Sequence, residues 1–110
     1  MKTIEQLLSQ EQVFLDLFSG GKESIAYEFN ISLTELEGKH FLVADYSYEN
    51  YSGEAYCLFI EDGKIYEVSA GHCSCYGLEG QFEPEHVPIE VLYHRLENKL
   101  YNSHYLTNIL

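Results

Sequence analysis

The segment His72-Cys73-Ser74-Cys75 places one imidazole and two thiols within four residues, and these side chains bind zinc or act as nucleophiles. With His86, they give His72, Cys73, Cys75 and His86 as a candidate zinc set, to which Cys57 is a further donor. Structural zinc sites usually separate paired cysteines by two to four residues. Here one residue intervenes and no second cysteine pair exists, so packed, inert thiols are the competing reading and the cofactor expectation is none, with zinc as the alternative. A nucleophilic Cys73 or Cys75, with His72, His86 or His94 as base, would need positive charge or a helix N-terminus to lower the thiol pKa. The surrounding residues are carboxylates, which raise it, so the chain is not expected to be an enzyme. Glu79, Glu83 and Glu85 offer paired acids for hydrolysis, yet such proximity arises by chance in a chain with 18 acidic residues.

A second constellation is anionic and aromatic. Between His40 and His94 there are ten carboxylates and one basic side chain, Lys64. Within that stretch Asp45, Tyr46, Tyr48, Glu49, Tyr51 and Glu54 interleave carboxylates with phenols, followed by Glu79, Glu83 and Glu85. Tyrosine offers rigid contact area and a hydroxyl at low entropic cost, which suits protein interfaces. These nine residues are the candidate partner-binding set. The competing reading is a solvated acidic face with tyrosines packed as ordinary strand residues.

The elements that would position these groups read as follows. From Thr3 to Phe18 apolar residues recur at helical spacing, with Thr3 and Gln6 as a capping box and Gly20-Gly21 as the stop. Ile25, Tyr27, Phe29, Ile31 and Leu33 alternate as in a strand, while Ser32 and Glu35 offer a short helical turn through Leu36 instead. Three strands are expected in FLVADYSY, AYCLFI and KIYEV. Asp62-Gly63 is a two-residue type I′ turn signal, which sets Ile60 opposite Ile65, Phe59 opposite Tyr66, Leu58 opposite Glu67 and Cys57 opposite Val68. Phe59, Tyr66, Cys57 and Val68 then share one face, and Leu58, Ile60 and Ile65 the other, so both faces need cover from helices or from a second copy of the chain.

From Gly71 to Val87 the periodicity stops and a long ordered loop is expected. Pro88 opens a helix with the stripe Ile89, Leu92, Tyr93, Leu96 and Leu100, and Ser103 caps a last short helix. The expected fold is one α+β domain over residues 1–110, an antiparallel sheet of three to four strands with a central hairpin, flanked by an N-terminal and a C-terminal helix.

Composition sets the class. A 45% hydrophobic chain of 110 residues buries one core. No run of about 20 apolar residues is present to span a bilayer and Met1–Gln6 lacks signal-peptide blocks. Three cysteines do not form a disulfide framework, so a reducing cytosolic setting is expected. With a formal net charge of -12, direct binding to nucleic acid or to an anionic membrane is disfavoured.

The stretch Asp45–Glu85 resembles a group of small uncharacterised phage and prophage proteins, in which a hairpin leads into a similar HCSCYGLEGQ segment, then an aromatic residue and an acidic-proline step, here Phe82, Glu83 and Pro84. The resemblance implies a similar fold for this third of the chain and a phage setting in the host cytosol. Together with the charge it leads to the expectation of a phage accessory protein that binds and inhibits a host protein with a basic surface, of an anti-defence or nucleic-acid-mimic type, by presenting carboxylates where phosphates would lie. The alternative is a small metal-binding or thiol-dependent protein built on the His72–Cys75 loop.

Overall fold

The computed structural model describes residues 1–73 and 77–110. Its centre is an antiparallel meander of β2 (His40–Glu49), β3 (Ser52–Glu61) and β4 (Lys64–His72). Asp62 and Gly63 take φ of 51° and 74°, the left-handed pair that a type I′ turn requires, and every cross-strand pair expected from that turn is formed.

Two short strands extend the meander to five strands in the order β1-β2-β3-β4-β5. β5 (Glu85–His86) pairs antiparallel with β4 inside what the sequence reads as loop. β1 (Phe14–Asp16) runs parallel to β2. The protein is therefore α+β as expected, but its sheet is mixed and five-stranded, where three to four antiparallel strands were expected.

The N-terminal third departs most from the sequence reading. α1 covers only Ile4–Leu8, although its capping box forms as expected, with Thr3 Oγ1 accepting from Gln6 N–H and Gln6 Oε1 accepting from Thr3 N–H. The Ser9 hydroxyl donates back to Gln6 O at 2.6 Å, a local bond that competes with helix propagation. The chain then extends, and Phe14 packs on Phe41 with ring centroids 6.0 Å apart. Pairing with the edge of β2 has outweighed a helical pattern that local spacing alone supported.

The alternating segment after Gly21 is a helix and not a strand: α2 spans Lys22–Phe29. Its buried residues are Ile25, Ala26 and Phe29, an i, i+1, i+4 set, while Tyr27 is 82% exposed. Gly21, with φ of 84°, starts this helix, and Asn30 closes it in the left-handed region. The short turn anticipated at Ser32 exists as a 3-10 helix, Leu33–Leu36, whose Thr34 N–H is accepted by Ser32 Oγ.

At the C-terminus α3 (Ile89–Glu97) follows Pro88, and α4 covers Ser103–Leu106. Leu100 lies beyond α3 and is 47% exposed, so it does not belong to the stripe.

Both sheet faces are covered within the chain. The first carries Phe41, Cys57, Phe59 and Val68 under α2, the 3-10 helix and the segment containing Leu78 and Phe82. The second carries Leu58, Ile60 and Ile65 under α1, α3 and α4. A bulge between Phe41 and Val43 lets Leu42 and Val43 both join the second cluster. Each buried Phe or Leu of these layers contributes on the order of 2 kcal/mol.

Candidate functional site

Strand alternation divides the residues around the β2–β3 turn between the two faces. Tyr46, Tyr48, Gly53 and His72 share the first face, and Asp45, Glu54, Tyr56 and Ser69 the second. The nine candidate binding residues are therefore not one surface.

On the first face Tyr46 is only 3% exposed. Its hydroxyl lies 2.5 Å from His72 Nε2, and His72 Nδ1 is 2.8 Å from Cys73 O. A carbonyl only accepts, so Nδ1 carries a proton, and in the neutral imidazole Nε2 is then the acceptor for the Tyr46 hydroxyl. Burial first, then the charge of Glu28, keeps the Tyr46 phenol above its ordinary pKa. Opposite His72 stands Gly53, where a Cβ would meet Tyr46 Cε1 at 2.9 Å and the His72 ring. Gly53 is thus the space the imidazole occupies.

This geometry bears on the zinc set. His72 has both ring nitrogens engaged within the chain. His86 pairs with Tyr66, six positions along β4 from His72, or about 20 Å at the rise of a strand. His86 thus falls away from the candidate set by the length of β4, and Cys75 lies outside the described residues. Among the described residues no group of three His, Cys, Asp or Glu side chains converges for a metal. Cys57 is fully buried, and desolvation together with Asp45 holds its thiol well above the usual range. The base candidate His94 lies on α3 beside Asn98, 3.3 Å away.

The described part of the loop is fastened to the fold by three of its residues. Gln81 Oε1 accepts from Gly71 N–H at 3.0 Å and Gln81 Nε2 donates to Gly77 O at 3.1 Å, clasping the loop to the outer side of β4. Leu78 is fully buried, and Phe82 lies against Phe59 (6.2 Å between centroids) and edge-on to Phe29 (5.2 Å).

The second face holds a polar groove that the sequence did not reveal. One cavity of ≈580 Å³ is lined by Glu54, Tyr56, Ser69, Tyr101, His104 and Tyr105, among others. It continues through Ser69, Gln81 and Tyr101 into a second, of ≈320 Å³, that brings in Glu67, Glu83 and Glu85. Among the described residues, neither is lined by a lysine or arginine.

Its floor is a tyrosine–carboxylate network. Tyr56 and Tyr105 stack with centroids 5.3 Å apart, Tyr105 donates to Asp45 Oδ2 at 2.7 Å and Tyr56 donates to Glu67 Oε1 at 3.0 Å. Burial first, and then the neighbouring carboxylates, push both phenols far above their ordinary value. Arg95 makes a bidentate pair with Glu67 at 2.8 and 3.0 Å, and its guanidinium lies 5.5 Å from the Tyr101 ring centre. Its hydrogen bonds to Glu67 come first in holding the guanidinium above its usual pKa.

Of the candidate binding residues, Glu54, Glu83 and Glu85 line the groove, Asp45 supports its floor, and Glu79 is exposed on the loop. Tyr46 is core. Glu49 and Tyr51 stand exposed at the β2–β3 turn and Tyr48 is 48% exposed on the first face. Asn50 and Tyr51 take φ of 52° and 66°. The left-handed region strains a bulky side chain, and Tyr51 is 75% exposed there.

Sequence reasoning missed Ser69, Arg95, Tyr101 and Tyr105, because the α3–α4 segment meets the sheet only in the tertiary fold. Parity in β3 and β4 already assigned Tyr56 and Ser69 to the face of Glu54, and that was the available signal. No family model, curated protein or solved structure matches the chain.

Proposed function

We propose that the protein binds the basic surface of another protein through the groove of the second face and the adjoining β2–β3 turn, acting as a phage accessory protein that inhibits a host target in the cytosol. The observation that carries this reading is the convergence of Glu54, Glu67, Glu83 and Glu85 on one groove that, among the described residues, no lysine or arginine lines. Among the described residues two ion pairs form, Lys39–Glu61 and Arg95–Glu67. Glu54, Glu83 and Glu85, which line the groove, have no ion-pair partner among the described residues. Glu85 stands directly across from Glu67, and Arg95 pairs with Glu67 and not with Glu85.

Retained carboxylates beside tyrosine hydroxyls fit lysine and arginine side chains of a partner, and such a surface accelerates association in a salt-dependent way. Tyr51, 75% exposed at the tip of the turn, adds aromatic contact area beside these carboxylates. No helix in the described residues is long and apolar enough to cross a membrane, which is compatible with this setting.

The test is capture of partners from bacterial lysate on immobilised wild-type protein and on the Glu54→Gln, Glu83→Gln, Glu85→Gln triple variant, each over a salt series. The expected result is a basic host protein retained by the wild type at low salt, released as salt rises, and not retained by the variant. Retention that ignores both salt and the three substitutions would remove the reading.

A further inference from the structure

At the opposite edge of the sheet, β1 pairs with β2 alone among the described residues. Val13 N–H donates to Phe41 O at 3.4 Å, Val13 O accepts from Ala44 N–H at 2.9 Å, and Leu17 N–H donates to Tyr46 O at 3.0 Å. Because successive residues of a strand direct their backbone groups to opposite sides, the N–H and C=O of Phe14 point outward from this edge. Val13, Leu15 and Leu17 are 38%, 41% and 46% exposed. Val13 and Leu15 open onto a cavity of ≈500 Å³ that is also lined by Leu42, Val43 and Ile109. An unpaired strand edge next to an apolar cavity is the geometry of strand addition, in which backbone bonds supply affinity and a pocket takes an alternate side chain.

The charge around this edge selects the occupant. Glu11 lines the cavity and Asp16 ends β1. The cation there, Lys2, has its ammonium engaged by Gln10 Oε1 and Ile109 O. A second copy would bring its own Glu11 and Asp16, and a further formal charge of -12, against the first. We infer that the β1 edge receives an extended segment of another protein in which bulky apolar residues alternate with lysine or arginine, the backbone pairing at Phe14 and an apolar side chain filling the cavity beside Leu15. Its cavity shares His104 and Tyr105 with the groove, but the β1 edge and Leu15 do not line the groove, so Leu15→Gln tests this site and not the other.

The probe is a short fluorescein-labelled peptide of alternating leucine and lysine, followed by anisotropy and by amide hydrogen exchange of the full chain. The expected result is binding that slows exchange at the Phe14 amide and weakens about tenfold or more for Leu15→Gln, and also when the peptide's lysines are replaced by glutamates. Equal binding by Leu15→Gln, binding without protection of Phe14, or no binding would each overturn the inference. So would protection of Phe14 that grows with protein concentration in the absence of peptide, which would make a second copy the occupant.

Discussion

Replacing Gly53 with alanine tests whether the Tyr46–His72 pair is packed as tightly as the structure has it. The added Cβ would lie 2.9 Å from Tyr46 Cε1 and 3.0 Å from His72 Cδ2, with His72 Nε2 closer still, so the imidazole must leave its place. Overpacking of this kind costs about 1–3 kcal/mol. Parting the buried Tyr46 hydroxyl from its acceptor adds about 1 kcal/mol. The expected loss is therefore about 2–4 kcal/mol, which corresponds to a fall in Tm of roughly 8–16 °C for a chain of this size.

Urea and thermal unfolding followed by far-UV circular dichroism would measure the loss, and the decisive comparison is a double-mutant cycle with His72→Ala. That substitution vacates the imidazole's space and lets the Tyr46 ring move, so Gly53→Ala should cost less than about 1 kcal/mol in its background, a coupling of at least about 1 kcal/mol. A cost unchanged by His72→Ala would mean that the imidazole does not occupy the space beside Gly53. The packing described for this face would then be wrong.

Three further outcomes follow from the geometry. Tyr51→Gly relieves a left-handed backbone at an exposed tip; it should raise unfolding stability by about 1 kcal/mol while weakening capture of the basic partner, and a variant that is more stable with unchanged capture would remove Tyr51 from the interface. Arg95→Met leaves Glu67, at 12% side-chain exposure, without its bidentate partner, and should cost about 2 kcal/mol in urea unfolding, between the values for surface and buried pairs; a cost under about 0.5 kcal/mol would show the pair to be screened. Tyr46, Tyr56 and Tyr105 hold their protons in the fold above the ordinary phenol value of 10.0. Below that pH both folded and unfolded chains are protonated and stability is undiminished; above it the unfolded chain binds fewer protons, so stability falls as pH rises toward the folded-state values. Tyr56→Phe should make this alkaline decline shallower by up to about 1.4 kcal/mol per pH unit, and an unchanged decline would show that Tyr56 ionises in the fold as it does when unfolded.

The meander was legible in the sequence because Asp62-Gly63 is a strong local signal and a two-residue turn leaves no freedom in register. Once Cys57 was set opposite Val68, the assignment of the two faces followed from alternation alone. The N-terminal third was not legible for the complementary reason. Phe14 and Phe18 fit a helical stripe and also a short strand followed by a turn, and Ile25, Tyr27 and Phe29 fit a strand as well as a helix. Short apolar runs are ambiguous by periodicity, and pairing with the edge of β2 decided the first case. Asn30, closing α2 in the left-handed region, was the cue that would have favoured the helix.

The candidate site was legible as a composition and not as a surface. Asp45 and Tyr46 are adjacent in sequence yet face opposite sides of the sheet, so one supports the groove floor while the other seals the core. The distinctive loop attracts a chemical reading because of its His and Cys residues. Gln81, Leu78 and Phe82, which carry no reactive group, are what fasten it to β4 and to the first face. The positions of Tyr101 and Tyr105 in the groove depend on how α3 and α4 dock, which no local pattern encodes.

Amide chemical-shift mapping of the ¹⁵N-labelled chain titrated with polylysine at low salt addresses the proposed binding surface without requiring the natural partner. The predicted result is that the largest shifts fall on Glu54, Ser69, Glu83, Glu85 and Tyr101, and that added salt abolishes them. Shifts equally large around Lys22 and Lys64, or spread evenly over the molecule, would contradict the account.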